Sequence, residues 1–125
     1  MTDLPTSGEA STYSDWFIGK KTSSGDTYTH EGWTAALLPK ARWYVVPMGT
    51  RVEVGYGGRK AVVKINDRGA GRRDGDDKRV LDLCRGAYAW LLDKELSRVT
   101  DKNAGVIQLT SIRVVDKSTA LGPVT

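Results

Sequence analysis

The chain has 125 residues, 39% of them hydrophobic and 27% charged, the balance of one globular domain able to bury a core without disulfides or a structural metal. One cysteine, Cys84, rules out an intramolecular disulfide, one histidine argues against a zinc site, and no apolar run approaches the ~20 residues of a membrane-spanning helix. The formal net charge of +4 favours anionic partners such as wall polymers, nucleic acid or acidic lipid without choosing among them.

Residues 1–7 are polar, contain Pro5 and read as an N-terminal arm. Residues 8–13 read as a first strand, and 20–28 as a polar, glycine-containing loop. Residues 33–38 are apolar and fit either a strand or one helical turn; 39–46 read as an inserted loop or hairpin. A turn at 47–50 launches a strand over 51–55, a Gly-Gly hairpin turn follows at 56–59, and 61–66 is a β-rich strand. A charged loop over 67–78 leads to a short strand at 80–83. Ala87, Trp90 and Leu91 fall at helical spacing, so 87–97 reads as the main helix. Strands over 106–109 and 111–115 precede a polar tail, 117–125. Many short strands, 14 glycines and one late helix predict a small barrel.

Four segments in this order carry a resemblance: Gly8-Glu-Ala-Ser-Thr-Tyr13; Gly19 to Tyr28 with Trp33-Thr-Ala-Ala36; Pro47-Met-Gly-Thr-Arg-Val-Glu-Val54; and Val63-Lys-Ile-Asn-Asp-Arg-Gly69 with Arg79-Val-Leu-Asp-Leu83. Together they resemble the rare lipoprotein A (RlpA) family of double-psi β-barrels, whose relatives include expansins, barwin-like proteins and lytic transglycosylase barrel domains. The resemblance implies a mainly β, six-stranded double-psi barrel over residues 8–116 with one or two short helices. It implies a groove directed at peptidoglycan glycan strands, and a lytic transglycosylase as the activity. The same groove also suits a non-catalytic wall-binding or carbohydrate-binding module, or a structural, protein-binding barrel in a larger assembly.

A lytic transglycosylase needs one carboxyl group at the leaving oxygen, because the sugar's own 6-hydroxyl closes an anhydro ring. Asp67 lies where the apolar strand opens into a loop, a place where desolvation can raise a carboxyl pKa, and by resemblance it matches the family's catalytic aspartate. The alternative is a turn whose carboxylate caps backbone N–H groups. Asp82, between Leu81 and Leu83, matches a groove aspartate of expansin-like relatives or serves as a structural acceptor. Asp26 matches a site glutamate, one methylene shorter. At Leu37 the resemblance calls for a histidine, and an aliphatic side chain neither donates nor accepts.

Ser11, Thr12 and Tyr13 stand where relatives place a sugar-binding hydroxyl, and Trp16 and Trp43 are candidate sugar platforms in polar surroundings. Trp33 and Trp90 read as core. Arg68 and Arg79, with Arg72, Arg73 and Lys78, either bind anionic groups of the wall or balance Asp74, Asp76 and Asp77. His30 reads as an exposed loop histidine, within reach of the groove from the loop that carries Asp26, and Cys84 as a small buried residue.

No cofactor or metal is expected: residues 57–60 lack the Walker pattern and 74–77 lack calcium-loop spacing. No nucleic-acid signature appears, and no membrane partner is expected. Residues 1–13 hold no visible apolar signal region: either this sequence lacks one, or a wall-facing or extracellular barrel is delivered outside the general secretory route, for instance within a phage virion alongside other protein chains.

Overall fold

The computed structural model describes residues 4–42, 45–70 and 77–125. Among the described residues, eight strands form one sheet: β1 (Gly8–Thr12), β2 (Thr34–Leu37), β3 (Arg51–Tyr56), β4 (Arg59–Arg68), β5 (Arg79–Leu83), β6 (Ile107–Leu109), β7 (Ser111–Val115) and β8 (Gly122–Val124). One α-helix, α1 (Arg85–Leu91), follows β5. The strand order is β6-β1-β5-β2-β4-β3-β7, with β8 added to β4.

The two ends of that order belong to one bent strand. Thr110 alone separates β6 from β7, and its N–H donates to Gly55 O at 2.9 Å. The first half pairs with β1 and the second with β3, so the sheet closes on itself. The eight described strands exceed the six that the resemblance implies; the number falls to six only when β6 and β7 are counted as one strand and β8 as an addition. β1 with β5 and β2 with β4 are parallel, each pair with one register shift, at Glu9/Ala10 and Ala35/Ala36.

Sequence patterning explains the strands. In β3, Val52 and Val54 alternate inward with Arg51 and Glu53. β4 is more continuously apolar because it is covered on both sides, and Ala61, Val62, Val63 and Ile65 are all buried. Gly57 and Gly58, at φ 59° and 81°, form the tight turn between them, where two left-handed residues match the strand twist. Residues 33–38, open between strand and helical turn, give the strand β2. Pro39–Ala41 is a single 3-10 turn at the start of the segment expected as a loop or hairpin.

Two elements differ from the sequence reading. The helix ends at Leu91, six residues early, because Asp93 turns left-handed at φ 56° and Lys94 N–H bonds back to Ala89 O at 2.9 Å. The polar stretch 117–125 supplies β8. β2 pairs with β4 only from Lys64 to Arg68, so the Lys60–Val62 edge is left open, and Gly122 to Val124 cover it.

Candidate active site

The site is built around Ala36 of β2. This residue is in register with Asp67 of β4 on one side and Asp82 of β5 on the other. Two carboxylates thus flank one small, buried residue, their backbones two strand spacings or roughly 10 Å apart.

The two carboxyl groups differ in their surroundings. Asp67 accepts four hydrogen bonds: from the Tyr13 hydroxyl at 2.7 Å on Oδ2, and on Oδ1 from Ser23 N–H at 2.8 Å, Ser23 Oγ at 2.7 Å and Arg68 N–H at 2.9 Å. Asp82 is half-buried and, among the described residues, has one close donor, Ser11 Oγ, at 3.0 Å. Burial pushes its carboxyl up to about 6, against the opposing pull of the Ser11 bond and the Arg79 charge, with the negative charge of Asp67 adding to the rise.

Around Asp82 the bonds run in a line. Arg79 donates to Ser11 Oγ at 2.8 Å, and the Ser11 hydroxyl in turn donates a hydrogen bond to Asp82 Oδ1. A bidentate contact with Asp77, at 2.8 and 2.6 Å, fixes the Arg79 guanidinium. Around Asp67 the ring of Tyr13 stacks on Tyr28, with centroids 4.2 Å apart. The Tyr28 hydroxyl meets His30 Nδ1 at 2.6 Å, and His30 Nε2 meets Asp15 Oδ1 at 2.9 Å. These partners set the tautomer: Tyr28 O–H donates to Nδ1, and Nε2–H donates to Asp15. Arg85, at the start of α1, is buried against Asp15 (2.7 Å), Asp101 and Tyr13 O (2.8 Å). The loop carrying Ser23 is therefore braced to the helix from behind.

A family model described as lytic transglycolase matches residues 6–111. The chain belongs to this family of RlpA-like double-psi β-barrels. It is similar to the endolytic peptidoglycan transglycosylase RlpA of Haemophilus influenzae, 32% identical over 120 residues, which are 94% of this chain and 36% of that protein. The Campylobacter jejuni protein of the same name is 38% identical over 82 residues, 64% of this chain and 26% of its own length. The chain thus spans at most 36% of the length of these curated relatives. Two solved structures share the fold at a TM-score of 0.60 and 22% identity. The Streptomyces papain inhibitor covers 93% of this chain over all of its own, and the apo expansin of Clavibacter michiganensis covers 92% over 52% of its own.

Within this RlpA-like double-psi β-barrel, the structure brings Ser11, Tyr13, Asp67, Asp82 and Arg79 together. Tyr13, expected beside the sugar hydroxyls, instead orients a carboxylate, and burial pushes its phenol up so that it stays protonated. Thr12 donates its hydroxyl to Leu83 O at 2.8 Å, within the barrel wall. Asp26 is exposed and holds Asn66 Nδ2 at 3.2 Å, with Lys64 Nζ at 3.7 Å. The Asn66 bond, then Ser24, then Lys64 keep its carboxyl below the usual range. Arg68 reaches Val46 O at 3.2 Å. Trp16 is 67% exposed with Lys20 over its ring at 4.1 Å, and it meets Phe17, which in turn packs edge-on against Tyr13. Trp43, Arg72, Arg73, Asp74 and Asp76 lie outside the described residues.

Leu37 is fully buried, in register with Arg68 and Leu81. Cys84 is buried too, and burial pushes its thiol up. His30 departs from the exposed side chain expected of it: only 12% is exposed, because Tyr28 and Asp15 hold both ring nitrogens. Sequence reasoning missed Ser23, Asp15, Asp101 and Arg85. Their signal was faint, since serines in a loop and an arginine at a helix start are ordinary until the fold brings them together.

Proposed function

We propose that this domain is a lytic transglycosylase that cuts peptidoglycan glycan strands, with Asp67 and Asp82 as its proton machinery. The carrying observation is the pair of unlike carboxyl groups on either side of Ala36. Environments that separate two neighbouring carboxyls in this way supply one acid and one base. The resemblance puts the general acid at Asp67; the geometry favours sharing the work. Asp82, pushed up to about 6, keeps its proton to a higher pH than an ordinary carboxyl does and in that protonated form gives it to the leaving glycosidic oxygen. Asp67, oriented by four donors, faces the positive charge growing at the anomeric carbon and takes the proton of the sugar's 6-hydroxyl as that oxygen closes the anhydro ring. One proton crosses from Asp82 to Asp67 through the substrate in each turnover and returns through solvent. Trp16, at the end of the Tyr13–Phe17 aromatic path, offers a face for a neighbouring sugar.

The test is a pH–rate profile on purified sacculi. Activity falls as pH rises through about 6 as Asp82 loses its proton, and Asp67→Asn and Asp82→Asn each lose on the order of 10²-fold or more. Full activity in Asp82→Asn with an inactive Asp67→Asn would return both steps to Asp67 alone. A second reading, a wall-binding barrel that does not cut, is favoured by Leu37, whose aliphatic side chain fills the core where the resemblance calls for a histidine. That reading predicts sacculus binding without release of fragments.

A further inference from the structure

A cavity of about 470 Å³ lies between α1 with the residues just after it and the segment entering β2. Trp33 and Trp90 line it, Ala89 and Leu96 add apolar surface, and Glu31 and Lys94 bring one charge of each sign. Its size and its apolar lining with few polar groups are those of a small-ligand site.

Its walls are held in place. Trp90 donates its indole N–H to Lys60 O at 2.9 Å. The Arg59 guanidinium covers one face of the ring at 3.8 Å and is itself tied to Trp90 O at 2.6 Å. Trp33 sits at φ 54°, a left-handed conformation that a bulky residue adopts only where its surroundings hold it, and its carbonyl accepts Lys64 N–H at 2.9 Å. Gly86 lets α1 close on the preceding segment: a Cβ there would stand 2.7 Å from His30 O. Two indoles fixed before any ligand arrives lose little freedom on binding. Strain of this kind at a cavity wall is also a pointer to function.

Glu31 and Lys94 are exposed and form no ion pair among the described residues. Together they offer one acceptor and one donor with no net charge, which favours neither an anion nor a cation. The complementary ligand is uncharged, has a flat apolar face for the indoles and carries hydroxyls at its edge. A pyranose ring has that form.

We propose that this cavity is a second saccharide site, binding pyranose rings of a glycan away from the Asp67–Asp82 groove. The inference shares the substrate class of the proposed function but requires no cleavage. A strand held at both places would keep its next bond near the groove at a high effective concentration.

The experiment is a titration of the full chain with the tetramer of N-acetylglucosamine, following the four tryptophan indole N–H signals by NMR. The expected result is a saturable shift of the Trp33 and Trp90 signals. It weakens at least fivefold in Glu31→Ala/Lys94→Ala and more than tenfold in Trp33→Ala, and is unchanged in Asp67→Asn. Wild-type shifts confined to Trp16 would overturn the second site while leaving the groove reading intact. So would Trp33 and Trp90 shifts produced by D-alanyl-D-alanine but not by the tetramer, which would make the cavity a peptide site. No shift at Trp33 and Trp90 with either probe would overturn it as well. Folding of each variant is checked by its amide spectrum, and the Glu31/Lys94 variant, altered only at exposed side chains, keeps the test decisive if Trp33→Ala unfolds.

Discussion

Replacing Asp82 by asparagine separates the cost of holding this carboxyl from its use. Burial raises its pKa from 3.8 to about 6, so the native state binds its proton more tightly than the unfolded chain does. The stability this contributes is fully present below pH 3.8 and is lost as pH rises through about 6. A shift of this size corresponds to roughly 3 kcal/mol between the two limits, taking about 1.4 kcal/mol per pH unit. Asparagine has nearly the same shape, still accepts the Ser11 hydrogen bond and carries no charge. Asp82→Asn is therefore expected to be more stable than the wild type by about 1 to 3 kcal/mol at pH 8 and equally stable near pH 4, while losing activity. Urea unfolding at both pH values, followed by tryptophan emission, measures this as a rise in midpoint at pH 8 without a change in slope. An equal offset at both pH values, or a variant less stable at pH 8, would refute the assignment of a raised pKa to Asp82.

Three further changes test the parts around the pair. Tyr13→Phe keeps the ring on Tyr28 but removes the donor to Asp67 Oδ2; activity should fall about tenfold or more with a stability loss near 1 kcal/mol, read by muropeptide release and a thermal melt. Leu37→His, though it restores the residue type the family pattern calls for, puts a polar ring into a fully buried position; about 2 kcal/mol or more of stability is lost and activity does not rise, checked by urea unfolding and the sacculus assay. His30→Ala removes the link between Tyr28 and Asp15; a loss of about 1 to 2 kcal/mol is expected in urea unfolding, and native-state hydrogen exchange at the Ser23 amide should accelerate as the loop loosens.

The barrel was legible in the sequence because its information is local. Alternation in β3, the apolar run of β4 and the Gly57–Gly58 turn each follow from neighbouring residues. β8 was not legible, since Gly122–Val124 is a strand only because β2 is too short to cover the whole edge of β4. The end of the helix depended on Asp93 adopting a left-handed backbone, which Asp tolerates without advertising it. At the site, Asp67 and Asp82 stood out by motif, but their arrangement about Ala36 depends on two strand registers at once. The contrast between them is a tertiary property: Ser23 and Tyr13, 44 and 54 positions away in the chain, surround one carboxylate, while burial acts on the other. The same holds for His30, whose loop reads as exposed until Arg85 and Asp15 close behind it.

If the Asp67–Asp82 site breaks glycosidic bonds by internal ring closure, the ends of its products carry the mark of that closure. Purified sacculi would be digested in ¹⁸O-labelled water with wild type, Asp67→Asn and Asp82→Asn, and the soluble fragments analysed by mass spectrometry. Ring closure gives wild-type fragments ending in unlabelled anhydro sugars, one water lighter than hydrolysed ends, and almost none from either variant. Labelled reducing ends, or intact sacculi with the wild-type protein bound to them, would rule out ring closure at this site.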